Sequence, residues 1–256
     1  MDLQLKDKKA LVMGSSRGIG RAIADRLARE GCDVAICGRN PDGVDTAVSE
    51  LGRHGSRIIG RAVDINDAQA LQGWIKDAAE ELGGLDILVS NASAFGMGAA
   101  EDTWKSLLNV DILGAVRAVE TAVPFLKEAA AKNGDAAIIA IGSVSAAGAT
   151  QPDAYGAIKG ALVHYVKGLA RSLAKHKVRA NVISPGMVYF KGGVWNMIET
   201  NMPEMFEKSL KRNPTGRMGK PEEMADAAAF LCSPCSAFTT GINMVIDGGV
   251  TDRVNY

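Results

Sequence analysis

The chain has 256 residues, 47% of them hydrophobic, and its 29 basic residues are balanced by 29 acidic ones. That length and apolar content suit one large α/β domain, and the balanced, dispersed charge argues against nucleic acid as a partner. Four cysteines are too few for a disulfide framework, and no apolar run approaches the roughly 18 residues of a membrane span, so a cytoplasmic protein with no membrane partner is expected.

The first apolar run, Ala10–Met13, follows charged residues and leads into glycines rather than a small-residue cleavage site, so it reads as a strand and not as a signal peptide. It runs into Gly14-Ser15-Ser16-Arg17-Gly18-Ile19-Gly20 and then a helical stretch, Gly18–Glu30, with Ile23 and Leu27 on its apolar face. Glycines in such a turn let backbone approach a pyrophosphate closely, and the helix N-terminus offers unpaired N–H groups and partial positive charge. Further strands are predicted over Val34–Cys37, Arg57–Val63, Ile87–Val89, Ala137–Ile141, Arg179–Ile183 and Asn243–Ile246, separated by helices such as Ala68–Leu82. Near-continuously apolar strands alternating with helices predict a doubly wound α/β fold of the Rossmann type. Its seven parallel strands carry helices on both faces, in a single domain over 1–256. Cys232-Ser233-Pro234-Cys235 ends an apolar helix (Met224 to Leu231) with no second such pair to complete a zinc site, so these are expected to be reduced thiols, and no metal is expected. Cys32 and Cys37 flank a strand and are expected to pack as small hydrophobes.

Ligands of such sheets bind at the carboxyl ends of the strands. Just after the fifth strand comes Ser143, and a short loop later Tyr155-Gly156-Ala157-Ile158-Lys159. In a helix, side chains at i and i+4 share one face, so Lys159 can lie beneath the Tyr155 hydroxyl and favour its ionised form, while Ser143 donates a hydrogen bond to the same substrate oxygen. This is an arrangement for general acid/base work.

With the glycine loop, Ser143, Tyr155 and Lys159 in this order, the chain resembles the short-chain dehydrogenases/reductases over nearly its whole length. Gly14, Gly18 and Gly20, with Ser16, Arg17 and Ile19 between them, fit that family's cofactor loop. Asp64-Ile65 fits its adenine contact, Asn91-Ala92 its strand-end turn, and Asn109 in Leu108-Asn109-Val110 the helix asparagine of its catalytic tetrad. Pro185-Gly186, followed by Val188, fits the nicotinamide-side turn, and Asp247-Gly248-Gly249 the closing segment. The resemblance implies hydride transfer between a nicotinamide and a carbonyl or secondary alcohol. Tyr155 would exchange the proton and Ser143 polarise the oxygen. Lys159 would support the phenol and hold the nicotinamide ribose, and Asn109 would anchor a water leading the proton away from Lys159. Departures are Met13 in place of a threonine before the loop, Ser90-Asn91-Ala92-Ser93 in place of Asn-Asn-Ala-Gly, and Phe190 where a threonine often follows Pro185-Gly186. The spacing from Ser143 to Tyr155 is tight, which makes Ser145 a rival for the polarising role.

A carboxylate after the second strand would bind the ribose of NAD; here Gly38 and Arg39 stand there, with Arg17 in the glycine loop. Two guanidiniums near a 2′-phosphate predict NADP(H) as the cofactor. The segment 187–212, carrying Met187, Tyr189 and Trp195, reads as a substrate flap suited to bulky apolar ligands. The expected activity is NADPH-dependent reduction of a ketone or 3-oxoacyl substrate. The alternatives are an oxidative alcohol, sugar or sterol dehydrogenase and, remotely, a non-catalytic NADP(H)-binding regulator. The general resemblance is to 3-oxoacyl-[acyl-carrier-protein] reductases. Gly134 and His176 stand where carrier-binding arginines are expected, with Lys132, Lys175 and Lys177 nearby. Faces bearing Ala115, Val116 and Val119, and Ala161, Leu162 and Tyr165, predict a homotetramer or homodimer by analogy.

Overall fold

The computed structural model describes the chain apart from positions 97, 149–151, 253 and 255–256. Its strands are β1 (Lys9–Val12), β2 (Asp33–Gly38), β3 (Ile58–Ala62), β4 (Ile87–Ser90), β5 (Ala136–Ile141), β6 (Val178–Pro185) and β7 (Asn243–Ile246). They form one parallel sheet in the order β3-β2-β1-β4-β5-β6-β7. The seven predicted strands are all present, with boundaries that agree to within two residues. The helices are α1 (Gly18–Arg29), α2 (Pro41–Leu51), α3 (Ala68–Leu82), α4 (Glu101–Leu107), α5 (Gly114–Asn133), α6 (Ala154–Leu173), α7 (Val194–Asn201), α8 (Pro203–Arg212) and α9 (Pro221–Cys232). A π-helical turn over Leu108–Leu113 joins α4 to α5.

Successive strand side chains point to opposite faces, and here both faces are covered. Ala10, Val12, Ile36, Val89, Ile139 and Ile183 pack with residues of α1, α2 and α9. Leu11, Ala35, Leu88, Ile138 and Val182 pack with residues of α3, α5 and α6 on the other side. This two-sided burial is why the strands read as unbroken apolar runs rather than alternating ones. Each fully buried Leu or Ile contributes about 1.5–3 kcal/mol through the water-excluded area. Of the faces read from the sequence for assembly, Ala115, Val119 and Leu162 are buried against the sheet, whereas Val116 and Tyr165 are half-buried and Ala161 is exposed. Trp104, Leu108 and Leu113 are the large apolar residues left exposed on the α4–α5 segment.

The strand order reverses direction between β1 and β4, and the chain leaves these neighbours at their carboxyl ends toward opposite sides. A crevice opens there. Asn91, the first residue beyond β4, closes its floor: its Nδ2 donates to the Met13 oxygen (3.1 Å) and the Gly14 oxygen (2.8 Å) beyond β1.

Candidate active site

Gly14 takes a left-handed conformation (φ 63°), where a side chain would be strained. A Cβ on it would also lie 2.9 Å from the Ala92 Cα. At Gly20 a Cβ would sit 2.3 Å from Asn91 Nδ2, so the turn is lined by backbone that comes closer than any side chain permits. Arg17 caps α1 without a side-chain bond to its first N–H groups, which leaves positive dipole and unpaired donors at the turn. These features suit the turn to a phosphate group.

At the end of β2, a Cβ on Gly38 would meet Ser16 Oγ at 2.7 Å, so Ser16 fills the space that a carboxylate would occupy. Arg39 beside it is exposed. Arg17 is exposed too, but its NH1 donates to the Gly192 oxygen at 3.2 Å. The two arginines thus differ: one is free and the other is tied to the segment after β6. Beyond β3, Ile65 is buried and Asp64 is exposed, its Oδ1 accepting from Asn66 N (3.0 Å) and Nδ2 (2.9 Å).

The helix that carries Tyr155 starts where Asp153 accepts hydrogen bonds from the N–H groups of Tyr155 (3.3 Å) and Gly156 (2.9 Å). A Cβ on Gly156 would stand 2.6 Å from the Ser145 oxygen, so glycine lets α6 approach the Ser143–Ala146 turn. Ser143 is buried, and its Oγ accepts from the Ser145 N–H at 3.1 Å. Lys159 lies one turn after Tyr155 with Nζ 5.6 Å from the centroid of the Tyr155 ring. Phe95 meets the same ring edge-on, with centroids 5.3 Å apart.

Lys159 is only 2% exposed. Its Nζ donates to the Ile141 oxygen (2.9 Å) and lies 2.9 Å from Asp111 Oδ1. That oxygen takes no aligned hydrogen bond, so the contact is an ion pair, while Oδ2 accepts from the Ala94 N–H at 2.9 Å. Asn109 stands elsewhere: its Nδ2 donates to Asn66 Oδ1 (2.8 Å) and its Oδ1 accepts from Arg117 NH1 (3.2 Å). The polar side chain that the π-helical turn brings to Lys159 is therefore Asp111. The sequence signal for it is a lone carboxylate inside the apolar run Val110-Asp111-Ile112-Leu113, where burial demands a partner.

Beyond β6, Gly186 packs so closely on the closing segment that a Cβ would lie 2.7 Å from the Asp247 Cα. Burial acts to raise the Asp247 carboxyl, but bonds from Thr251 and the Gly249 N–H outweigh it and hold the group below its usual range. Val188 is buried and bridges Gly219, and Gly219 N donates to the Met187 oxygen (2.8 Å). The segment 187–212 carries two helices, α7 and α8. Phe190 folds back onto the glycine turn, where a Cβ on Gly18 would be 2.5 Å from its ring. The Tyr189 hydroxyl is hydrogen-bonded to Glu199 and accepts from Asn196 Nδ2 at 3.0 Å; the Glu199 bond pushes its ionisation upward. Trp195 is half-buried. A cavity of about 290 Å³ is lined by Phe95, which meets the Tyr155 ring, and by Thr103 and Leu107 among others.

The three buried thiols, Cys32, Cys37 and Cys232, pack as small hydrophobes. Burial pushes Cys37 and Cys232 up to about 12 and raises Cys32 as well, so reactive thiolates are scarce at neutral pH. Among the described residues no group of three or more His, Cys, Asp or Glu is placed to hold a metal, and no helix is long and apolar enough to cross a membrane.

An open parallel sheet with a glycine turn at its switch point defines a dinucleotide-binding class of protein. Residues 14–251 match the family described as enoyl-(acyl carrier protein) reductase. The chain is 34% identical to isoepoxydon dehydrogenase patN of Penicillium expansum over 251 residues, 96% of this chain and 95% of that one. It is 33% identical to dehydrogenase/reductase SDR family member 4 of Oryctolagus cuniculus over 258 residues, 98% and 96% of the two chains. The L-sorbose reductase of Gluconobacter frateurii, solved with NADPH and L-sorbose, superposes with a TM-score of 0.90 at 28% identity, covering 99% of this chain and 100% of that one. The chain belongs to the short-chain dehydrogenase/reductase family, which consists of oxidoreductases.

Proposed function

We propose that this protein is an NADPH-dependent carbonyl reductase that converts a ketone into a secondary alcohol. The observation that carries this reading is the cluster of Ser143, beyond the carboxyl end of β5, with Tyr155 and Lys159 in the first turns of α6, at the same end of the sheet as the glycine turn. NADP(H), when bound, supplies or accepts the hydride. The residues that would hold it are Gly14, Ser16, Arg17, Gly18, Ile19 and Gly20 in the turn, Asp64 and Ile65 after β3, Asn91 after β4, and Pro185, Gly186 and Val188 after β6. Arg39, exposed next to a β2 end with no carboxylate, would bind the 2′-phosphate.

Tyr155 donates its proton to the carbonyl oxygen as the alcohol forms. Ser143 hydrogen-bonds the same oxygen, a contribution typically worth about 10²–10³ in rate. Lys159, held under the ring, favours loss of the phenol proton and its return. Met187, Tyr189 and Trp195 would face substrate from the flap, Tyr189 through its ring because its hydroxyl is engaged by Glu199.

The oxidative reading draws support from the relative named isoepoxydon dehydrogenase. A carrier-bound 3-oxoacyl substrate draws less. Lys132, Lys175 and Lys177 precede β5 and β6, about 20 Å of strand away from the site within one chain. A free small-molecule carbonyl is therefore the preferred substrate class.

The test is NADPH consumption on a panel of ketones, 3-oxoacyl thioesters and a 2-enoyl thioester, with NADP reduction on secondary alcohols run in parallel. Turnover confined to alcohols would favour the dehydrogenase. Turnover confined to the enoyl thioester would replace carbonyl chemistry by double-bond reduction. None at all would favour a non-catalytic NADP(H)-binding regulator.

A further inference from the structure

We propose that Asp111 is a positioning residue for proton transfer: it pairs with the Lys159 ammonium and holds it in place beside Tyr155, where the sequence points to neutral Asn109. The inference rests on the carbonyl reductase reading for its kinetic consequence and on the ion pair alone for its physical basis. Asp111 has a fully buried side chain and Lys159 is 3% exposed at its own. An unpaired carboxylate or ammonium would be severely penalised in such surroundings. The pair is also anchored at both ends. The Ala94 N–H fixes Asp111 Oδ2 at 2.9 Å, and the Ile141 carbonyl takes a second Lys159 bond at 2.9 Å.

The local backbone explains why position 111 rather than 109 faces the lysine. Residues Leu108–Leu113 form a π-helical turn between α4 and α5, and residues two apart on a helix point to roughly opposite sides. Asn109 is turned toward Asn66 and Arg117, and Asp111 points into the protein.

The consequence is electrostatic. A buried pair of opposite charges is nearly neutral from a distance, so the field at the Tyr155 hydroxyl is set by Asp111 together with Lys159. The other charged groups around it, Asp153 capping Tyr155 and Gly156, Arg117 bonded to Asn109 and Asp64 bonded to Asn66, are the same in wild type and variant, so the difference between the two reports Asp111. Replacing Asp111 by neutral Asn removes one negative charge. That lowers the proton affinity of the coupled Tyr155 and Lys159 whichever of them gives up its proton first.

The experiment compares wild type with Asp111→Asn, using the purified protein, NADPH and a ketone that wild type reduces. Three readouts are taken: kcat against pH from about 6 to 10, NADPH affinity by fluorescence titration, and thermal melting. The expected result is a kcat lowered on the order of tenfold, NADPH affinity within about threefold, and an alkaline fall in kcat displaced to lower pH by about one unit. A purely structural role for Asp111 would lower the melting temperature and leave the pH profile in place, and that outcome overturns the proposal. So does a displaced profile in Asn109→Ala with none in Asp111→Asn. If Asp111→Asn does not fold, Asp111→Glu keeps the charge and moves it by one methylene; kcat should fall with the profile unmoved, and a displaced profile sinks the idea. If wild type reduces no carbonyl, the reductase reading has failed separately. The pairing is then read from melting curves of Asp111→Asn, Lys159→Gln and the double variant, where additive effects would overturn it.

Discussion

Tyr155 and Arg39 carry the sharpest tests because each is asked to do one thing. Tyr155→Phe removes the proton and keeps the ring against Phe95, so turnover should fall by at least about 10²-fold while NADPH affinity stays near wild type. Substantial residual kcat would remove Tyr155 from the mechanism. Arg39→Ala should lower kcat/KM for NADPH by about tenfold or more, from the loss of a charge-assisted bond of about 1.5–3 kcal/mol, and leave NADH use unchanged. Equal losses with both cofactors would refute the phosphate clamp. Arg17 is a less clean probe, since its guanidinium also bonds the Gly192 carbonyl. At this scale the sequence was informative wherever a function needs a fixed residue type at a fixed spacing, as in Tyr155 and Lys159. It was silent on whether position 109 or 111 turns inward.

Among elements, α6 depends on Gly156 to come within reach of Ser143. Gly156→Ala places a methyl against the Ser145 carbonyl, an overpacking that should cost about 1–3 kcal/mol. The expected readouts are a lower melting temperature and a loss in kcat larger than any change in NADPH affinity, because the shift separates Tyr155 from Ser143. The start of α9 offers a pH test. Hydrogen bonds from Arg217 and the Lys220 N–H hold the Glu223 carboxyl down to about 2. A depressed carboxylate stabilises the fold above its unfolded value near 4.5, and that contribution disappears as pH falls toward 2. Melting temperatures of wild type and Glu223→Gln should therefore differ near neutral pH, approach one another below about pH 4.5 and converge at about pH 2. The difference should be small, since the pair is solvent-screened. A gap that persists at low pH would assign the effect to packing.

For the whole molecule, the open question is association. We expect a homotetramer or homodimer, supported by the exposed Trp104, Leu108 and Leu113 and by the fully exposed Phe238. Sedimentation velocity should give a species larger than 27 kDa, since the chain is 26.8 kDa; a monomer at micromolar concentration would refute the assembly. The segment 187–212 is the other large-scale element: its base is pinned where Val188 bridges Gly219, and it meets the glycine turn where Phe190 lies on Gly18 and the Gly192 carbonyl accepts from Arg17.

Alternating apolar strands and helices, the glycine turn after β1 and the i, i+4 spacing of Tyr155 and Lys159 were legible from the chain alone. Each is a local pattern, because periodicity and backbone freedom are properties of neighbouring residues. Tertiary structure decided what depends on distant segments meeting. Ser16 occupies the space next to Gly38, Phe190 lies on Gly18, and Ala115, Val119 and Leu162 turn to the sheet instead of to a partner. Above all, the turn over Leu108–Leu113 carries Asp111 rather than Asn109 to Lys159, since residues two apart on a helix point to opposite sides and only the packing decides which side faces in.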